Sequence, residues 1–97
     1  MKVRYSPRAT NDLISIADYL TERSPSGARN VEAALRKTIG LLSEFPGGGR
    51  MLTQRPNVRV MPLARYPYLV FYTVSNEALL ILHVRHGARA PVKGDEL

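Results

Sequence analysis

Cysteine is missing from this chain, and its absence excludes both a disulfide framework and a thiolate-bound metal. The two histidines, His83 and His86, have no cluster of acids around them, so no metal and no cofactor is expected. Long apolar runs are missing too. No stretch approaches the roughly 20 residues of a membrane-spanning helix, and Met1-Lys-Val-Arg-Tyr5 lacks the apolar centre of a signal peptide. A cytoplasmic location without membrane contact is therefore expected. Acids are scarce in the second half. From Gly47 to Val92 the charges are Arg50, Arg55, Arg59, Arg65, Arg85 and Arg89 against Glu77 alone, whereas residues 1–45 are nearly balanced. The net charge of +6 thus arises mostly from the second half and favours an acidic partner, either nucleic acid or an acidic protein segment. A length of 97 residues allows one domain with a modest core, spanning 1–97 with 90–97 as a flexible tail.

What is present is a strong alternation of patterns. Lys2-Val-Arg-Tyr5 alternates polar and apolar residues and reads as a strand, at an edge of the later sheet or beside its last run. Ser6-Pro7 ends it and starts a helix, with Ser6 as N-cap and proline in the first turn. Ala9, Leu13, Ile16, Ala17 and Leu20 recur at steps of three and four, which makes one apolar stripe ending at Arg23. Ser24-Pro-Ser-Gly27 breaks the helix. A second helix, with Ser26 as its expected cap, carries Ala28, Val31, Leu35, Thr38, Ile39, Leu42 and Phe45 on one face until Pro46 closes it. So short a connection predicts an antiparallel α-hairpin. Val58–Leu63, Tyr68–Val74 and Leu79–Arg85 follow as three strand-like runs, joined by Ala64–Pro67 and Ser75–Ala78, so a three-stranded antiparallel meander is expected. The fold class is α+β. Because the second and third runs are apolar at nearly every position, they suit central strands covered on both faces.

The candidate site residues gather in the sheet half. Arg85-His-Gly-Ala-Arg89 would deliver cations and an imidazole where the last strand leaves the sheet, with Arg85, His86 and Arg89 exposed. Gly47-Gly-Gly-Arg50 reads as a flexible basic loop after the second helix. It matches no phosphate-loop spacing. Arg59 should lie on the opposite face from Val58 and Val60, on the polar side of the sheet if one face is open. Tyr72 shares a face with Tyr68 and is a further candidate, although tyrosines so placed are commonly packing residues. His83 lies inside an apolar run and reads as a core histidine. Asp12, Asp18, Glu22 and Glu32 fall on the polar sides of the helices and read as solvated surface.

Several of these segments together resemble the RelE/ParE superfamily of type II toxin–antitoxin toxins, from about Val3 to Arg89. They are Ser6-Pro-Arg-Ala9 leading into Asp12–Tyr19, Phe45-Pro-Gly-Gly-Gly-Arg50, Val58-Arg59, Leu69-Val-Phe-Tyr72 and Ile81–Arg89. The resemblance implies an antiparallel sheet of three or four strands backed by an α-hairpin, and a cognate antitoxin as partner in a hetero-oligomer. It also implies one of two activities. ParE-like members, the plasmid-stabilisation branch, block DNA gyrase and are not hydrolases. RelE-like members cleave mRNA on the ribosome. A relative that only binds the antitoxin is a third alternative. The long helical hairpin and the His86-Gly-Ala-Arg89 ending look more like ParE. Cleavage would have to use Arg50, Arg59, Arg85 and His86, and a clear general base is missing, since Glu77 sits in a turn. For gyrase, ribosome or antitoxin contact the expected residues are Arg50, Arg59, Tyr72, Arg85, His86 and Arg89.

Overall fold

A computed structural model of the protein describes residues 1–88; Arg89 and the expected tail 90–97 lie outside the described residues. The elements run β1 (Lys2–Tyr5), α1 (Pro7–Arg23), α2 (Pro25–Glu44), a 3-10 turn (Pro46–Gly48), β2 (Arg50–Met51), β3 (Arg59–Pro62), β4 (Tyr68–Ser75) and β5 (Ala78–His86). They form one sheet in the order β1-β5-β4-β3-β2. The expected meander is β3-β4-β5, antiparallel throughout, and β1 lies at the edge in parallel register with β5. No helix among the described residues is long and apolar enough to cross a membrane.

Both helices begin where local chemistry dictates. Ser6 is extended, and its Oγ accepts from Ala9 N at 3.0 Å while Pro7 presets the first helical φ. Ser24 ends α1 and caps α2 at once: its N–H donates to Leu20 O, and its Oγ accepts from Gly27 N at 3.1 Å. The cap expected at Ser26 is thus supplied two residues earlier. Pro25 at the first helical position forces the change, because it already has helical φ and Ser24 is the last extended residue. The apolar stripes then pack on the sheet. Val31, Leu35, Ile39 and Leu42 of α2 and Ala9 of α1 are buried against Val70, Tyr72, Leu79, Ile81 and Val84. Phe45 is not part of this face. It stands at the C-cap with non-helical backbone and is 65% exposed.

Two further expectations are corrected. The segment after α2 is not a free basic loop, since Pro46–Gly48 forms a 3-10 turn and Arg50–Met51 adds a fifth strand to β3. The central strands, expected to be covered on both faces, are covered by the helices on one face only, and the other carries a groove. Directly opposed residues share a face, so the ladder places Arg50, Val60, Phe71 and His83 in one row across the sheet. Pro62, Leu69 and Arg85 form the next row on that face. The helix-packed residues Val70, Tyr72 and Ile81 point the other way, and the Arg50 face is left open as a groove.

The β4–β5 hairpin is a two-residue turn in which Asn76 and Glu77 have φ of 50° and 62°, the left-handed pair that matches strand twist. Further along, the partner of β4 jumps from Ile81 to His83, so Leu82 is an extra residue in β5. β1 ends at the same level. Ser6 takes over there, donating its N–H to Ile81 O at 2.9 Å and its hydroxyl to Leu82 O at 2.9 Å. The start of α1 is in this way stitched to the edge of β5.

Candidate functional site

The open-face groove has a volume of about 570 Å³, and among its lining residues are Arg50, Val60, Pro62, Leu69, Phe71 and Arg85. Its floor is apolar and its charges are guanidinium. Among the described residues neither Arg50 nor Arg85 has a carboxylate partner. Arg85 is only 7% exposed, and its Nε lies 3.4 Å from the carbonyl of His86, a weak contact for a buried cation. A guanidinium fork placed this way suits a carboxylate or phosphate brought in by a partner. The expectation that Arg85 is an exposed residue is corrected: its stem packs beside Leu69 in the sheet.

His86 lies on the other face. Successive residues of a strand alternate, so while Arg85 enters the groove His86 faces Tyr68, with ring centroids 5.5 Å apart in an edge-on arrangement. Its Nδ1 accepts from Ala88 N at 3.1 Å. Arg85 and His86 thus do not meet in the groove beside Arg50, which takes only Arg85, although both line a separate cavity of about 800 Å³ that Asp12 and Tyr68 also border.

Arg59 and Tyr72 are opposed in the ladder and share the helix-side face, which corrects the expected placing of Arg59 on the open side. Val60 occupies the open face instead. The Tyr72 side chain is fully buried, and its hydroxyl donates to Pro46 O at 2.7 Å and accepts from Gly49 N at 2.8 Å. Arg59 Nη1 donates to Gly49 O at 2.7 Å, with Gly47 O at 3.4 Å. Both side chains are committed to the loop that precedes Arg50. Of the six candidates, then, Arg50 and Arg85 share the groove, Arg59 and Tyr72 build its rim, His86 faces away, and Arg89 lies outside the described residues.

Gly49 shows how tightly that rim is built. A Cβ there would stand 2.6 Å from the Tyr72 hydroxyl oxygen and 2.8 Å from its ring, whereas a Cβ on Gly47 would meet nothing within 4 Å. Gly49→Ala is therefore expected to cost roughly 1–3 kcal/mol through overpacking, and Gly47→Ala well under half of that; urea unfolding of the two variants checks the difference.

Beside the groove lies a polar cluster that reading the sequence missed. Asp12 is not solvated surface: its Oδ2 accepts from His83 Nδ1 at 2.6 Å and from Val84 N at 3.0 Å. His83 is buried and stacks on Phe71 of the groove floor, with centroids 5.6 Å apart. Arg8 Nη2 lies 3.4 Å from Nε2, so the ring is held at both nitrogens. The carboxylate sits where β1 has ended and the edge of β5 would otherwise be open. Only the Ser6–Leu82 junction creates that gap, and no local pattern around Asp12 signals it.

The fold with this arrangement is that of the RelE/ParE toxins. A chain of the chromosomal ParDE TA system from P. aeruginosa superposes with a TM-score of 0.75 at 22% identity, over 89% of this chain and 95% of that one. The isolated E. coli RelE toxin gives 0.64 at 16% identity, over 92% and 86% of the two chains. In sequence, Toxin RelE2 of Caulobacter vibrioides is 33% identical over 89 residues, which is 91% of this chain and 97% of that protein. The family described as the ParE toxin of the type II toxin–antitoxin system, parDE, matches residues 3–91, and the chain belongs to that family.

Proposed function

We propose that this protein is the toxin of a type II toxin–antitoxin pair, that it acts as a ParE-like inhibitor of DNA gyrase, and that a cognate antitoxin neutralises it. The observation that carries the choice of activity is the lining of the groove. It combines two guanidinium groups with an apolar floor, and among its described lining residues there is neither a carboxylate nor an imidazole to act as general base. His83 is turned to Asp12, and His86 faces Tyr68 on the far side. Cleavage of RNA by its own 2′-hydroxyl needs a group that takes the hydroxyl proton, whereas a surface that holds another protein needs only complementary charge and shape. Membership of the ParE toxin family supports the same choice. The likeness to Toxin RelE2 keeps ribosome-dependent mRNA cleavage as the second reading.

The antitoxin partnership draws on the same groove and on the apolar residues left exposed elsewhere. An acidic, disordered segment that folds on this domain would pair carboxylates with Arg50 and Arg85 and bury apolar side chains between them. Coexpression with the product of a neighbouring reading frame is expected to protect cells and to yield a co-purifying complex. For the target, purified protein should inhibit gyrase supercoiling and leave translation in a purified extract intact. Codon-phased mRNA cuts on ribosomes with supercoiling untouched would reverse the assignment. Within the groove, Arg50→Ala and Arg85→Ala should each weaken growth inhibition by about tenfold, as expected for loss of one charge-assisted hydrogen bond. Arg50 is exposed and its variant should melt as the parent does; Arg85 is buried, so its melting temperature must be measured alongside.

A further inference from the structure

We infer that Tyr72 and Arg59 are positioning residues for Arg50: they lock the glycine loop whose end fixes where the Arg50 side chain enters the groove. This rests on the reading of the groove given above, and adds how one of its two cations is held.

The lock is visible peptide by peptide. Gly47-Gly-Gly49 has three residues in succession without a Cβ, which is the backbone least able to hold a direction by itself. Gly49 is nevertheless gripped at both ends. Its N–H, which belongs to the peptide plane from Gly48, donates to the Tyr72 hydroxyl at 2.8 Å. Its carbonyl, which belongs to the peptide plane shared with Arg50, accepts from Arg59 Nη1 at 2.7 Å. Each peptide unit is rigid, so the two contacts orient the consecutive planes that lead to the Arg50 Cα. Pairing of Arg50 with Val60 holds the far side.

The tyrosine cannot yield. Its side chain is fully buried, its hydroxyl is also tied to Pro46 O at 2.7 Å, and Gly49 is pressed so close that any Cβ would collide with it. A phenylalanine would fill the same core volume, so the hydroxyl is there for the loop. Arg59 likewise spends its guanidinium on Gly47 and Gly49 carbonyls, which separates it from Arg50 in role although both lie on neighbouring short strands. Packing alone would explain a ring at this position; it would not explain an acceptor and a donor directed at the two ends of the residue that precedes Arg50.

Tyr72→Phe, alone and combined with Arg50→Ala or Arg85→Ala, tests this. Amide hydrogen exchange is read at Gly49 and Arg50 relative to the β4–β5 core, and growth inhibition is read as the expression level needed to halt cells. The expected result is a Gly49 amide about fivefold less protected relative to the core, the loss of one hydrogen bond, with inhibition weakened by a similar factor. That weakening should vanish on the Arg50→Ala background and multiply in full on Arg85→Ala. Arg59→Met, which keeps the stem without the guanidinium, should behave as Tyr72→Phe does, and Arg59→Lys should recover part of the loss. Unchanged protection at Gly49 overturns the inference, and so does a Tyr72→Phe effect that multiplies on Arg50→Ala. If Arg50→Ala itself inhibits growth as well as the parent, the groove reading fails instead, and with it the functional half of this inference, while the exchange data still report whether the loop is locked.

Discussion

Leu42→Ala is expected to lower the stability of the domain by about 2–5 kcal/mol, because it leaves a cavity among residues that cannot close over it. Leu42 is 2% exposed and packs from α2 into the cluster that holds Val70, Tyr72 and Ile81. Total stability of such a domain is on the order of 5–15 kcal/mol, so this single change removes a large share of it. A fall in melting temperature of at least about 10 °C should accompany it. The neighbouring Leu41 is the control. It has the same side chain on the same helix but is 53% exposed, and Leu41→Ala should change stability by no more than about 0.5 kcal/mol. Thermal and urea unfolding of the pair would refute the packing described here if the two variants lost equal stability.

Asp12→Ala is expected to cost nearly as much, roughly 2–4 kcal/mol, for a different reason. One carboxylate oxygen accepts from both His83 Nδ1 and Val84 N. Removing it strands two donors in the edge of β5, and an unpaired buried donor costs about 1–3 kcal/mol. Asp12→Asn keeps one oxygen and should lose clearly less. Asp18→Ala, on the exposed side of the same helix, should be near neutral. A denaturation midpoint for Asp12→Ala equal to that of Asp18→Ala would return Asp12 to the solvated surface. Because His83 stacks on the groove floor through Phe71, the same variant should also weaken growth inhibition beyond what its stability loss explains.

The α-hairpin and the three strands of the meander are legible because each is set by neighbours in sequence. A three-to-four-residue apolar step makes a helix face, Ser6-Pro7 makes a cap, and dense β-branched and aromatic runs make strands. Even the family resemblance rests on such local strings. The short strand Arg50–Met51 carries no comparable signal. Two residues have no period, and they become a strand only because β3 offers them an edge.

Which side chains meet is another matter. Arg50 and Arg85 stand 35 positions apart in sequence, and nothing near either says that one groove takes both. Strand register decides it, by placing Val60 opposite Phe71 and Leu69 opposite Arg85. Register equally sends His86 to the far face and Arg59 to the loop, since a shift of one residue reverses the direction of every side chain in a strand. The extra residue Leu82 has the same effect within β5: it resets the alternation, so that Ile81 and Val84 both face the helices and His83 faces the groove floor. Local pattern suffices for the helices, the three strands of the meander, their order and the excess of arginine in the second half, none of which needs contacts more than a few residues apart. Which arginines enter the groove and which hold its rim depends instead on pairing between strands and on one inserted residue whose effect appears only when the sheet is assembled.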